Sequence, residues 1–346
     1  MPSPMLSICI PTYNFGKFIA QTLDSILSDL PEGVEIVILD GGSTDETDRV
    51  VEKRHHDFPQ IKYHQQGFRG GIDRDIAKVV SLSSGTYCWL FSADDLMKPG
   101  AVRKMLGYLS SQCDIYLCEH TLCDYEMHPM KAYPIFDHIT SPELFDFSDP
   151  IHRRRYFSQA RTSEAFFSFL SGPVFRRDLW EKARDIPESF YGTCWALAGR
   201  LLRLVRQGVK IHYLAESLIF KRSGNDSFLE LGVVNRLRIT VEGFGHISET
   251  IFGRDSEETR HIRRVLRNER TLPHLLGIKL MVATSSQKEK MTVLNQIVLK
   301  HYSNVGIENT CKYVLFRIAP PSLLKLGRFL RQILRKKNNI PEAVEV

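Results

Sequence analysis

The first 125 residues alternate continuous apolar runs with stretches in which apolar residues recur at helical spacing. Such runs predict strands buried on both faces, and the helical spacing predicts amphipathic helices between them. Alternation of this kind indicates an α/β protein with a largely parallel sheet. The predicted strands cover 6–10, 34–39, 61–66 and 86–91, and the predicted helices include 16–29 and 71–83.

One helix start in this region has a recognisable polar signal. Ser43 or Thr44 is placed to cap a helix after the second strand, and Glu46 stands three residues after Ser43, as in a capping box. The sequence therefore predicts that this helix begins directly after Ser43 or Thr44.

The pattern loosens over 125–165 and then resumes with a strand, a turn and a helix start within 166–180. A helix is predicted over 194–207, ended by Gly208 as its C-cap. Two strands are predicted at 209–214 and 217–220, and the chain reads as mainly helical from about 228.

Polar loops follow three of the predicted strands. They read PTYN at 11–14, DGGSTD at 40–45 and SADD at 92–95. Ligands of open α/β sheets bind beyond the carboxyl ends of the strands. We therefore expect these three loops to meet at one crevice.

Asp94 and Asp95 are adjacent carboxylates at the end of an apolar run. Like charges repel and resist burial unless they are paired or coordinated. The residues alone allow a solvated turn or a site for a divalent cation, and hard oxygen ligands favour Mg²⁺ or Mn²⁺.

Composition narrows the class of protein. The chain has 346 residues, of which 43% are hydrophobic and 25% charged, as in ordinary globular proteins. No apolar run approaches the ~20 residues of a membrane span, and no secretory signal is predicted at the N-terminus. Seven cysteines, an odd number, favour a reducing cytoplasm.

Three of these cysteines lie close together with two histidines. The order along the chain is Cys113, Cys118, His120, Cys123 and His128. Their spacing lacks the tight pair of common structural zinc sites, so a core strand is favoured over zinc.

The net charge of +6 is concentrated near the end of the chain. Eight basic residues and no acidic one lie between Lys312 and Lys337. Residues 320–337 predict an amphipathic helix with one apolar and one basic face, which suits an anionic membrane surface. A helix packed on the protein is the alternative. Nucleic-acid binding is disfavoured, because aromatic residues do not alternate with these charges.

Three segments carry a resemblance to a known family. SICIPTYNFGKFIAQTLDSIL, EIVILDGGSTDET and GTYCWLFSADDLMKPGAV, in this order and spacing, resemble the family 2 nucleotide-sugar glycosyltransferases of the GT-A fold. The resemblance covers about residues 5–220. More narrowly, GGIDRD, YCWLFSADD and RSGNDSF resemble the bacterial abequosyltransferases of O-antigen synthesis.

The resemblance implies a fold and an activity. It implies a GT-A domain over 1–227, with a nucleotide-binding half at about 1–125 and an acceptor half at 126–227, followed by a helical region over 228–346. It implies metal-dependent transfer of a hexose, a dideoxyhexose among the candidates, to a lipid-linked or surface polysaccharide at the cytoplasmic membrane face. A catalytically inactive module that binds sugar nucleotides or glycans is the alternative.

The resemblance also implies roles for matching residues. Asp95 would hold Mn²⁺ or Mg²⁺ with Asp94, which also faces the ribose. Arg74 would approach the nucleotide. The residues implied to border the nucleobase and the nucleoside are Pro11, Thr12, Tyr13 and Asp40.

The chain departs from the family pattern at three places. Gly41 stands where many members have a second Asp, which leaves CDP-sugars as well as UDP-sugars open as donors, and Ser92 replaces a further Asp. No carboxylate lies between Gly192 and Gly208, where inverting members carry the catalytic base. The nearest candidate is Glu188, with Asp185 and Glu164 further upstream; for each of them a solvated loop carboxylate is the alternative. A retaining mechanism, which requires no base at that place, is also open.

Arg222 is a further candidate for the donor site. It lies in the Gly-containing loop 220–228, and arginine suits bidentate contact with a diphosphate. We hypothesise that this loop closes over the donor; a polar turn before the next helix is the alternative.

Overall fold

The structure is a computed structural model that describes residues 3–226, 228, 231–285, 289–303, 306–322 and 325. The chain divides into two compact units. The first runs to Ser223 and also includes Ile247–His261, a segment that lies beyond the division expected at residue 227. The second comprises Gly224–His246 and the described residues from Ile262 onward.

The first unit is built on one mixed sheet. Its strands, among the described residues, follow the order β3-β2-β1-β4-β9-β6-β10-β5, with β7 paired to β6 and β8 paired to β10. The strands are β1 Leu6–Thr12, β2 Val34–Asp40, β3 Ile61–Gln65, β4 Tyr87–Leu90, β5 Leu96–Met97, β6 Ile115–Cys123, β7 Pro129–Tyr133, β8 Glu143–Asp146, β9 Pro173–Arg176 and β10 Lys210–Arg222.

The first four long strands are parallel, and their order creates a switch point. The chain moves outward from β1 to β2 and β3, and then crosses back to place β4 on the other side of β1. Next to β4, the antiparallel β9 changes the direction of the sheet. Ligands of open α/β sheets bind where the strand order reverses. The carboxyl ends of β1 and β4 therefore define the expected crevice.

The apolar runs correspond to the central strands. Every residue of β1, β2 and β4 is buried, as strands covered on both faces require. Helices between the strands bury their apolar faces against this sheet, as Ile19, Leu23 and Ile26 do in α1. The α/β prediction is confirmed.

The helices of the described residues are bounded as follows. They are α1 Gly16–Leu27, α2 Thr47–Asp57, α3 Ile72–Leu82, α4 Ala101–Leu109, α5 Pro150–Gln159, α6 Arg177–Lys182, α7 Ala196–Gln207, α8 Val233–Arg238, α9 Phe244–Phe252, α10 Glu257–Glu269, α11 Leu272–Thr284, α12 Lys290–Tyr302 and α13 Ile307–Ile318. The prediction of helices after about 228 is confirmed. Gly208 follows α7 with φ 93°, so the predicted C-cap is also confirmed.

The prediction for the start of α2 is wrong. The helix begins at Thr47 with Glu46 as its N-cap residue, and neither Ser43 nor Glu46 forms a capping box. Instead, the Asp45 carboxylate accepts hydrogen bonds from the backbone N–H groups of Thr47, 3.0 Å away, and Gly16, 3.0 Å away. A contact between two loops therefore replaces the local capping pattern.

The prediction of two strands at 209–214 and 217–220 is also wrong. A single strand, β10, spans both, and its pairing with β6 shifts register between Tyr213 and Ser217. Ala215 has φ 49° at this irregularity, which explains the break in the apolar pattern.

The cysteine cluster belongs to the core. Cys118 and Cys123 are buried in β6, and Cys113 is buried just before it, so the core-strand interpretation is confirmed. His120 is likewise fully buried in this strand.

The second unit has its own core of packed helices, with Leu237, Leu275, Leu294 and Phe316 among its buried residues. The buried Lys279 ends α13 by donating hydrogen bonds to the carbonyls of Phe316, Arg317 and Ala319 at 2.5, 3.1 and 2.9 Å. A cation at this position stabilises the helix C-terminus.

None of the described helices is long and apolar enough to cross a membrane. Apart from 320–322 and 325, the predicted amphipathic helix at 320–337 lies outside the described residues.

Candidate functional site

The loops after β1 and β2 are joined by reciprocal hydrogen bonds. The Asn14 N–H donates to Ser43 Oγ at 2.8 Å, and the Thr44 N–H donates to Asn14 Oδ1 at 2.8 Å. The Gly41 N–H donates to the Thr12 carbonyl at 2.8 Å, which extends the parallel pairing past the last strand residues. The structure thus brings Thr12 next to Asp40, as expected for loops that share a crevice.

Asp40 is buried and satisfied within the protein. One oxygen accepts a hydrogen bond from the Ser43 N–H at 2.7 Å, and the other accepts one from the Tyr63 hydroxyl at 2.9 Å. These contacts fix the end of β2. Tyr13, one residue beyond β1, lies under the guanidinium of Arg69, 4.3 Å from its ring centre.

Asp94 and Asp95 are both buried after β4. The Ser92 hydroxyl, at the position of the missing family Asp, donates to Asp94 Oδ1 at 2.5 Å. The Ser171 hydroxyl donates to Asp95 Oδ2 at 2.8 Å, and the Arg222 N–H donates to Asp95 Oδ1 at 3.2 Å. A neighbour in the same loop and two segments distant in sequence therefore position this pair.

Burial raises the pKa of Asp95 to about 8, and the adjacent Asp94 charge adds to this effect. The hydrogen bond from Ser171 and the Lys221 charge oppose it. A buried carboxylate in this state gains stability from a neighbouring cation.

The donor set fits a hard divalent cation such as Mn²⁺ or Mg²⁺, because both ligands are carboxylates. The part of the chain that the structure describes holds no group of three or more His, Cys, Asp or Glu side chains arranged for a metal. A cation held by Asp94 and Asp95 would need further oxygen ligands from outside these two side chains.

The Arg222 side chain points inward. Its Nε donates to the Asp94 carbonyl at 3.0 Å, and one Nη donates to Gln21 Oε1 at 2.9 Å, while the other bonds the Tyr125 carbonyl. The guanidinium also stacks on Phe18, 4.9 Å from the ring centre. These contacts make Arg222 a support of the loop that carries Asp94 and Asp95. Its contact with the diphosphate of a donor stays a prediction.

A cluster of buried charges lies beside Asp95. Lys221 Nζ donates to Glu164 Oε1 at 3.1 Å, and His120 Nδ1 lies 3.1 Å from Glu164 Oε2. Glu164 was a remote candidate for a base from the sequence. Its side chain is buried in this ion pair, so it helps hold the Lys221 charge near Asp95.

Arg74 and Glu188, predicted separately, are in contact. Arg74 Nη2 donates to Glu188 Oε1 at 2.6 Å, and the Arg74 guanidinium lies 4.8 Å from the ring centre of Tyr191. Both charged side chains are largely exposed.

Asp73, which sequence reasoning missed, organises the segment where the family places its base. Its carboxylate accepts hydrogen bonds from the N–H groups of Gly192, Cys194 and Ala196 at 2.8, 3.0 and 3.0 Å. Ala196 is the first residue of α7, so Asp73 caps this helix from α3.

The parallel strands, the flanking helices and the switch point define a GT-A fold. The chain belongs to glycosyltransferase family 2: the family model "Glycosyl transferase family 2" matches residues 7–182.

Sequence relatives agree. The abequosyltransferase RfbV of Salmonella typhimurium is 28% identical over 341 residues, which cover 96% of this chain and 100% of that protein. The chondroitin synthase of Escherichia coli is 33% identical over 103 residues, or 30% of this chain and 15% of that protein. The protein is therefore a glycosyltransferase.

Solved structures share the fold. The structure of S. aureus TarS 1–349 in complex with UDP-GlcNAc has a TM-score of 0.60 and 16% sequence identity. The match covers 94% of this chain and 91% of that chain. The mannosyltransferase PcManGT of Pyrobaculum calidifontis, solved with GDP-Man and Mn²⁺, has a TM-score of 0.53 and 14% identity, covering 95% and 81%.

Proposed function

We propose that this glycosyltransferase moves a hexose from a pyrimidine nucleoside diphosphate to a lipid-linked or surface polysaccharide of the O-antigen type. The buried Asp94–Asp95 pair at the switch point carries the proposal, because two adjacent buried carboxylates would be stabilised by a cation that also neutralises a diphosphate. A dideoxyhexose is among the candidate sugars, since RfbV, a relative matched along its whole length, is named an abequosyltransferase.

Asp94 and Asp95 would hold Mn²⁺ or Mg²⁺. When bound, such an ion offsets the negative charge of the diphosphate leaving group. Thr12, Tyr13 and Asp40 are proposed to border the nucleoside, with Pro11 shaping the same loop. Arg222 and Ser171 keep the carboxylate loop in place.

Glu188 is proposed as the base that takes the proton of the acceptor hydroxyl. Its exposure leaves it open to an acceptor, and Arg74 holds its carboxylate through a charge-assisted hydrogen bond. Arg74 therefore has two proposed roles: it contacts the nucleotide, and it orients the carboxylate of Glu188.

We place the reaction at the cytoplasmic face of the inner membrane, with the basic segment 320–337 against anionic lipid. The proposed lipid-linked acceptor supports this placement, as do the six basic residues of this segment, which contains no acidic one.

Differential scanning fluorimetry with Mn²⁺ and UDP, CDP, GDP or dTDP tests the donor site. A ligand present at a hundred times its Kd stabilises the protein by about 2.7 kcal/mol. We expect a metal-dependent rise in Tm with UDP or CDP that is lost in Asp95→Ala. Multiple-turnover transfer to a lipid-linked acceptor then separates catalysis from binding alone. No shift with any nucleotide would contradict the proposed donor site.

A further inference from the structure

Asp75 is a carboxylate at the same edge of the sheet. The proposed reaction assigns it no role. It lies in α3 and is buried, with 5% of the residue exposed. Gln66, just beyond β3, donates from Nε2 to Asp75 Oδ1 at 2.8 Å. Within the described residues, Asp75 Oδ2 accepts no hydrogen bond and no cation pairs with this carboxylate.

Two glycines leave the space that the carboxylate occupies. A Cβ at Gly41 would lie 2.9 Å from Asp75 Oδ2, and a Cβ at Gly70 would lie 2.5 Å from Asp75 Oδ1. Both distances are shorter than any ordinary contact of a Cβ atom. Neither glycine has the positive φ that would itself require glycine. Glycine at both positions therefore leaves room for the Asp75 carboxylate in its present place.

The free oxygen lies where the loops of the crevice meet. Gly41 directly follows β2, and its N–H bonds the carbonyl of Thr12 at the end of β1. The Cβ position of Gly41 is also 3.5 Å from that carbonyl oxygen. Asp75 thus brings a carboxylate to the nucleoside side of the crevice, although it comes from a helix rather than from the loop after β2.

The surroundings leave this carboxylate short of hydrogen-bond donors. Burial raises the pKa of Asp75, and the charge of Asp40 adds to the effect, while Gln66 and Arg69 oppose it. Both oxygens of Asp40 already accept hydrogen bonds from the protein. An oxygen that accepts no hydrogen bond from the protein is available to a donor supplied by a ligand.

We propose that Asp75 Oδ2 accepts a hydrogen bond from an N–H group on the base of the donor nucleotide and so determines which base is bound. The inference rests on the proposed function, since it assumes a nucleoside diphosphate in the crevice. Uracil offers its N3–H and cytosine its N4 amino group. Separate titrations with UDP and CDP distinguish these two donors of the hydrogen bond.

Isothermal titration calorimetry with UDP and CDP tests the inference on the full-length wild type and Asp75→Asn. Each arm includes a base-methylated analogue that lacks the N–H, either N3-methyl-UDP or N4,N4-dimethyl-CDP. We expect methylation to weaken binding of the preferred nucleotide about tenfold or more in the wild type, and far less in Asp75→Asn. Mn²⁺ with pyrophosphate, which has no base, should bind both proteins equally.

Gly41→Ala gives a second route to the same result. The added Cβ would displace the Asp75 carboxylate, so the sensitivity to base methylation should fall as it does in Asp75→Asn. Gly67→Ala is the matched control, because no atom lies within 4 Å of its Cβ position and its φ is not positive. It should retain the wild-type response.

The outcomes separate the two proposals. If the wild type binds a nucleotide, but methylation of the base weakens binding equally in wild type and Asp75→Asn, the role of Asp75 is overturned and the proposed function stands. If Asp75→Asn weakens the binding of Mn²⁺-pyrophosphate as much as that of the nucleotide, the proposed contact between Asp75 and the base is also overturned. If the wild type binds no nucleotide, the proposed function fails and the inference fails with it.

Discussion

Arg74 Nη2 lies 2.6 Å from Glu188 Oε1, although 114 positions separate these residues in the sequence. Arg74 is in α3, and Glu188 is in a short 3-10 turn before α7. The pair joins the helix that follows β3 to the segment in which the acceptor side of the site is expected.

Separate substitutions should distinguish the roles of this pair. Glu188→Gln should lower kcat by about a hundredfold or more with little change in donor KM, because a proposed general base is removed. Arg74→Ala should raise the donor KM. Steady-state kinetics with varied donor and acceptor measure both effects.

The same variants should leave stability almost unchanged, since an exposed ion pair contributes at most about 1 kcal/mol. Glu32→Gln, an exposed carboxylate that precedes β2, is the matched control and should keep wild-type kinetics. A Glu188→Gln enzyme with full kcat would show that the base lies elsewhere.

Removal of Asp95 should stabilise the protein while it abolishes function. The folded-state pKa of about 8 exceeds the ordinary value near 4, so the folded state binds more protons between these values and stability falls as pH rises through them. We therefore expect Asp95→Asn to raise Tm relative to wild type, and to do so more at pH 8.5 than at pH 5.

Thermal melts across this pH range check the effect, with the exposed Asp57→Asn as control. Mn²⁺ with the preferred nucleotide should raise the Tm of the wild type but not that of Asp95→Asn. Equal pH dependence of Tm in the two proteins would show that the pKa of Asp95 is not raised in the folded state.

Asp73→Ala should destabilise the protein by about 2 kcal/mol or more, because three backbone N–H groups near the start of α7 lose their charged acceptor. Asp73→Asn, which keeps one acceptor oxygen, should recover part of the loss. Urea denaturation measures both. Equal stability of Asp73→Ala and wild type would contradict the capping role.

His301 should make the second unit sensitive to acid. Burial lowers the pKa of His301 to about 4, and the ring nitrogen Nε2 bonds the Arg270 carbonyl at 3.1 Å. The unfolded state, with a pKa near 6.5, binds the proton first, so stability falls as pH drops from about 6.5 to about 4. The full loss is about 3 kcal/mol.

Denaturation of wild type and His301→Gln at pH 4 to 8 tests this effect. The two curves of unfolding free energy against pH should diverge below about pH 6.5, with the variant less affected by acid. Parallel curves would exclude His301 as the source.

The sequence predicted the parts of the fold that follow from local pattern. β1, β2 and β4 are apolar throughout because both of their faces are buried, and Gly208 is needed where α7 ends with a positive φ. The order of these strands then placed the three polar loops at one edge. The meeting of these loops at one edge of the sheet could therefore be predicted without coordinates.

Other parts of the site depend on contacts between distant segments. Ser171 binds the Asp95 carboxylate across 76 positions, and Asp73 binds the Gly192 N–H across 119. Nothing in the local sequence of either residue signals these partners. The capping box at Ser43 was wrong for the same reason, since Asn14 and Asp45 satisfy the loop through tertiary contacts.

The two glycines beside Asp75 have a consequence for how such a protein can change in descent. A side chain gained at position 41 or 70 would displace the Asp75 carboxylate from its present place, so the carboxylate keeps this position only while both residues are glycine. Loss of Asp75, in turn, would free both glycines to vary. These three positions should therefore be inherited as a set, and a lineage that changes its nucleotide preference should change them jointly.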